Sequence, residues 1–160
     1  MRYASETSVS VAKSKNEIET VLRRYGADQF VQGWGSDSNG HRAVIGFCAV
    51  GRQVRFELPL LEKEANEFWR TPAGRRRRNA ADAEKAWEQA CRQRWRALAL
   101  VVKAKLEAVE TGITTFEEEF LAHIVIPGKG GETIGKWIVP HIEAAYVHGR
   151  VLPLLPGAPK

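Results

Sequence analysis

The stretch Gly130-Gly131-Glu132-Thr133-Ile134-Gly135-Lys136-Trp137 comes close to a phosphate-binding loop of the form G-x-x-x-x-G-K, in which backbone N–H groups and a lysine hold phosphates. Trp137 stands where that motif needs a Ser or Thr for magnesium, and few residues follow to supply a supporting acid. A glycine turn ahead of an amphipathic segment accounts for the same letters. Glu119 and His123 lie four apart, a spacing metal ligands use on one helix face, but no third ligand is spaced to join them. An outward ion pair, or a histidine satisfied at a helix end, is the expected role. There is no G-x-S-x-G elbow, and neither Cys48 nor Cys91 sits beside a histidine. No catalytic residue, metal or cofactor is therefore expected, and the chain reads as a binding protein.

The arginines carry more information. Lys85, Gln89, Arg92, Arg96 and Lys103 line one face of a long helical pattern, about a third of a turn from its apolar stripe. Arg92 and Arg96 can offer two planar forks to one phosphate or pyrophosphate, or form a solvated helix flank. Arg75 to Arg78 form a block that is either a mobile charge run or a neutraliser of phosphates. Phe68, Trp69 and Trp34 are rings able to stack on bases or to join the core. The net charge of +5 favours an anionic partner. The acidic run Glu117 to Glu119 makes the charge uneven, an asymmetry that also suits self-association.

The elements that must position these residues follow from periodicity. Thr7 to Val11 alternates like a short strand, and Ser14 with Glu17 reads as a capping box for a helix carrying Ile18, Val21, Leu22 and Tyr25 and closed by Gly26. Gln29 to Trp34, Arg42 to Val50 and Gln53 to Leu58 read as an antiparallel meander, turning at Asp37-Ser38-Asn39-Gly40 and at Gly51-Arg52, with one face covered. Leu60 to Arg78 reads as an irregular connection. Asn79 caps a helix from about Ala80 to Thr111, with Trp87, Cys91, Trp95, Leu98, Val102, Leu106 and Val109 on one stripe. At about 48 Å it is longer than a small four-stranded sheet can cover, which points to an oligomer built on its far end. Phe116 to His123 reads as a short helix, Ile124 to Ile126 as a strand, and Thr133 to Tyr146 as a helix broken near Pro140, ahead of a proline-rich extended tail.

The expectation is thus a single α+β domain over residues 1–160: an antiparallel sheet plus one short helix (1–58), a connecting loop (59–79), and a helical part with tail (80–160) whose long helix mediates oligomerisation. Two dispersed cysteines make no disulfide framework, and no export signal or membrane-spanning run is apparent, so a cytoplasmic location is expected.

The segment Trp87-Glu88-Gln89-Ala90-Cys91-Arg92-Gln93-Arg94-Trp95-Arg96-Ala97-Leu98, with KAKLEAVETGITTFEEEFLAHIVIP from Lys103 onward, looks like that of a small phage-encoded protein. The layout, strands with one helix and then long helices, resembles over most of the chain the Thoeris anti-defence sponge family. That family sequesters cyclic ADP-ribose-type immune signals and, in some members, cyclic oligonucleotides. The resemblance implies a dimer or a hexamer (trimer of dimers) in an infected host cell, holding a cyclic nucleotide without degrading it. It implies contacts from a helix arginine pair, here Arg92 and Arg96, from a stacking ring, Phe68 or Trp69, and from Asn79. The block Arg75 to Arg78 has no place in that pattern. The alternative is a nucleic-acid-binding accessory protein of phage replication or recombination, using the arginine block and the helix ridge on a phosphate backbone.

Overall fold

The computed structural model describes residues 4–37 and 40–149; the turn at Ser38-Asn39 and the proline-rich tail lie outside them. The order is α1 (Val11–Tyr25), β1 (Gln29–Asp37), β2 (Gly40–Ala49), β3 (Arg52–Pro59), α2 (Asn66–Trp69), α3 (Ala80–Glu110), α4 (Phe116–Phe120), a 3₁₀ turn (Leu121–His123) and α5 (Ile134–His148). This is an α+β fold around one antiparallel sheet.

The first helix starts a turn earlier than the Ser14 capping pattern suggests. Ser10 is the cap, its hydroxyl accepting from the Lys13 N–H at 3.1 Å, and Ser14 is a buried position inside the helix. Val11 therefore opens the apolar stripe that continues through Ile18 and Leu22; it does not close a strand, because a short alternation and the first turn of an amphipathic helix share the same letters. Gly26 ends the helix in the left-handed conformation (φ 97°), where its N–H and that of Ala27 take the orphan carbonyls of Arg23 and Leu22.

Without a strand at Thr7, the described sheet has three strands in the order β1-β2-β3, all antiparallel. Phe30, Phe47 and Val54 lie in register, as do Gln32, Ile45 and Phe56. On β2 and β3 the inward set, Ala43, Ile45, Phe47, Ala49, Val54 and Phe56, is buried under the helices. Ile124 to Ile126 is not a strand but two single bridges, Ile124 to Val54 and Val125 to Thr133.

The long helix is covered within one chain. Ala83, Trp95, Ala99, Val102 and Leu106 are buried along its 31 residues, against α2 near the start, α1 in the middle and α4 near the end. Its length therefore does not by itself demand a second subunit, because three short elements share the stripe. Asn79 caps it by accepting from the Asp82 N–H at 2.8 Å. At the far end Phe120, fully buried, meets Phe47 and Phe56 edge-on and stacks on Phe116 at 4.7 Å. A core ring of this kind contributes roughly 3–5 kcal/mol. The last helix runs through Pro140 without a break, giving up only the bond to the Lys136 carbonyl that a proline nitrogen cannot donate.

The turn between β2 and β3 sits one residue earlier than expected, on Val50-Gly51. Both residues have positive φ, 52° and 68°, as a two-residue hairpin of this twist requires. Valine is poorly suited to that region, and its side chain is exposed, so nothing in the packing compensates for the strain. Replacing Val50 with Asn should raise stability by about 1 kcal/mol. Urea denaturation would show it as a higher midpoint at unchanged slope, and an unchanged or lower midpoint would mean the valine is not strained.

Candidate nucleic-acid interface

The five residues expected to share a ligand are not brought together. Arg96 points at α1, where its guanidinium pairs with Glu17 and ties the two helices. Arg92 is turned along its own helix, donating to Gln89 Oε1 through Nε (3.0 Å) and Nη2 (2.6 Å). Gln89 in turn donates to the Ser5 and Thr7 carbonyls, so the pair positions the N-terminal segment on α3. Phe68 is only 5% exposed and belongs to the packed interior. Asn79 is the cap of α3, its amide oxygen already engaged. Of the five, Trp69 alone lines the cleft formed by the arginine block.

That surface is a hairpin made of arginines. After α2 the chain turns on Thr71-Pro72-Ala73-Gly74, closed by the Gly74 N–H to the Thr71 carbonyl at 2.7 Å, with Gly74 at φ 67°. It then runs back antiparallel to itself: Arg70 pairs with Arg77, the Thr71 N–H reaches the Arg76 carbonyl at 2.9 Å, and the Arg78 N–H reaches the Trp69 carbonyl at 2.9 Å. Arg78 also donates from its side chain to the Phe68 carbonyl at 3.2 Å, tying the hairpin to a buried residue. The block is therefore held on an ordered backbone.

Arg70, Arg75, Arg76 and Arg77 are all exposed, and none is within ion-pairing distance of a carboxylate among the described residues. They share a cleft of about 490 Å³ with Trp69, Asn66 and the single acid Glu64. The Arg77 guanidinium lies 5.4 Å over the Trp69 ring. The arrangement joins unneutralised charge to a flat indole and a flat cation, the two surfaces on which a nucleobase stacks. Arg70 and Gly74 are the residues that sequence reading missed: Pro one place after Thr71 and Gly at the fourth position are turn signals, flanked by arginine on both sides. Trp34, the other ring considered, is 80% exposed on the edge strand β1.

The remaining chemical candidates resolve into structural roles. Glu119 accepts from Lys105 Nζ at 3.0 Å, while His123 stacks on Phe56 at 4.0 Å, so the two do not face a common ligand. Cys91 is half-buried, and burial pushes its thiol pKa up, the reverse of what a nucleophile needs. Cys48 donates to Gln29 Oε1 at 3.4 Å across the β1-β2 pair. The chain matches no family model, no curated protein and no solved structure.

His123 yields a pH prediction. Burial, assisted by the Lys105 charge, holds its ring below the ordinary value of about 6.5, and only a backbone bond at Arg55 opposes them. A folded pKa below the unfolded one means that stability is fully present above about pH 6.5 and is lost as pH falls toward the folded value. His123→Gln should therefore show a smaller stability difference between pH 7.5 and pH 5.5 than the parent in denaturant melts. An equal difference would place the histidine outside that dependence.

Proposed function

We propose that the protein is a non-catalytic nucleic-acid-binding protein that holds a single strand on its arginine hairpin. The observation behind this reading is that four exposed arginines without carboxylate partners sit on one fixed turn beside Trp69. Single strands expose base faces that an indole and a guanidinium can stack on, whereas a duplex hides them, so a strand is favoured over a helix. Sequestration of a cyclic nucleotide by α3 would require Arg96 to leave Glu17 and Arg92 to leave Gln89, which uncovers a half-buried carboxylate. The geometry therefore supports the phosphate backbone better than the cyclic ligand.

Four phosphate contacts predict a salt slope of about −3 for single strands, or roughly fiftyfold weaker binding between about 50 and 200 mM salt. Fluorescence anisotropy with a labelled oligothymidylate should show this slope. Replacing Arg75, Arg76 and Arg77 together with Ala should bring it near −1. Arg96→Ala should instead lower the melting temperature and leave the slope alone. If the oligonucleotide does not bind, and the protein retains a cyclic nucleotide that heating releases intact, the sponge reading stands in its place.

We also propose that copies of the chain associate, through α5 and not along α3. Trp137, Val139, Ile142, Tyr146 and Val147 of that helix are exposed, no residue of it is buried, and its main contact is with the 3₁₀ turn. Light scattering at micromolar concentration should give a mass above 17.9 kDa, and Ile142→Asp should return it to the monomer value. A monomeric parent would remove the assembly.

A further inference from the structure

The outer face of the sheet carries a second cationic cleft that shares no lining residue with the arginine hairpin. It measures about 470 Å³ and lies between β2, β3 and the glycine loop that leads into α5. Arg42 and Arg55 project into it from neighbouring strands and Lys136 from the first turn of α5. All three converge on Glu57: Arg42 Nη1 at 2.9 Å, Arg55 Nη2 at 3.2 Å, and Lys136 Nζ at 2.7 and 2.8 Å from the two carboxylate oxygens.

One carboxylate cannot neutralise three cations. Glu57 is ionised throughout the neutral range, since the Lys136 hydrogen bond holds its pKa below the usual carboxylate value, so the network carries a surplus of two positive charges. Neither guanidinium is saturated. The Nε–H groups of Arg42 and Arg55 are buried and have no partner among the described residues. Buried donors of this kind are rarely left unmade, and a structural network built only for stability would supply acceptors for them.

The loop is shaped around this arrangement. Gly131 has φ 86°, and a Cβ there would come within 2.8 Å of Arg55 Nη1, the same atom that donates to the Gly131 carbonyl at 3.3 Å. Glycine suits the positive φ at this turn, and its missing Cβ leaves the Arg55 guanidinium room beneath the loop. The segment that nearly spells a phosphate loop thus delivers its lysine to this cleft, although the sheet beside it is antiparallel and Trp137 supplies no magnesium ligand.

We propose that this cleft binds a phosphate-type anion of two or more charges, such as pyrophosphate or two neighbouring phosphates of a strand, with Arg42, Arg55 and Lys136 as its ligands and Glu57 as the internal counter-ion that holds them in place. Such an anion offsets the surplus of two charges and offers acceptor oxygens to the cations lining the cleft. The phosphate can be free or part of a strand, and the two sources are separable by competition. The proposal is independent of the hairpin, because the residues that test one are absent from the other.

Calorimetry of the full chain with pyrophosphate at low salt tests it. Binding should be measurable and at least tenfold weaker in Lys136→Gln, whose side chain is half-exposed in the parent and is replaceable without a core defect. Lys13→Gln, which removes an exposed cation of α1 that lines neither cleft, should leave it unchanged. Glu57→Gln separates a ligand site from a structural network: removing the internal negative charge should tighten pyrophosphate about tenfold even where the melting temperature falls. Displacement of pyrophosphate by an oligothymidylate, lost in Lys136→Gln, would assign the phosphate to a strand; failure to displace would assign it to a small molecule. No pyrophosphate binding by the parent, or Glu57→Gln losing stability without gaining affinity, would overturn the proposal.

Discussion

A sheet of three strands has two faces, and this chain carries helices enough to cover one. Ile18 and Leu22 of α1 join Trp95, Ala99, Val102 and Leu106 of α3 over Ala43, Ile45, Phe47, Val54 and Phe56, and Phe120 closes the end. Burying this set supplies the driving force for the fold. It also commits every alternate residue of β2 and β3 to the opposite side, because strand side chains alternate. Arg42, Arg55 and Glu57 face outward for that reason, and the cleft they line is a consequence of one-sided packing.

The same packing decides which cations remain available. Lys15 lies 4.4 Å over the Trp95 ring and Arg96 reaches Glu17, so the seam between α1 and α3 is lined with paired charge. Trp87 donates to the Leu61 carbonyl at 2.9 Å, and Arg94 to that of Pro59 at 2.5 Å, which fixes the start of the connection leading to the hairpin. Arginines that touch α3 are engaged in holding the molecule together. Those on the turn beyond Trp69 sit on a backbone-bonded hairpin; apart from Arg78, which reaches the Phe68 carbonyl, and Arg77, which lies over the Trp69 ring, their side chains are left to solvent.

Elements with long periodic patterns were legible from the letters: α3 starts at its Asn79 cap and ends before Gly112, and the meander has the expected faces. Short signals were less secure. The letters Ser14 and Glu17 point to a cap at Ser14, whereas the helix is capped at Ser10 because its apolar stripe continues back to Val11. The arginine block could be read as charge but not as a hairpin, since Pro72 and Gly74 signal a turn without fixing that Arg70 pairs with Arg77 across it. The expected ligand fork failed for a different reason. Helical spacing places Arg92 and Arg96 on one face, but the choice between ligand and neighbour depends on Glu17, far away in sequence.

That last point has a general physical basis. A guanidinium beside a half-buried carboxylate cannot turn to a ligand without leaving the carboxylate poorly solvated and unpaired, and breaking such a pair is costlier than the pair's net contribution suggests. A paired arginine on a helix is therefore a poor ligand group even when its spacing is right. The converse holds at Arg42 and Arg55, where pairing to Glu57 is incomplete: each keeps an Nε–H without a partner among the described residues, and the shared carboxylate is outnumbered. An anion arriving there would meet three cations whose charge one carboxylate does not cancel. The availability of a cation for binding is thus set by what its neighbours leave unneutralised, which neither composition nor periodicity records.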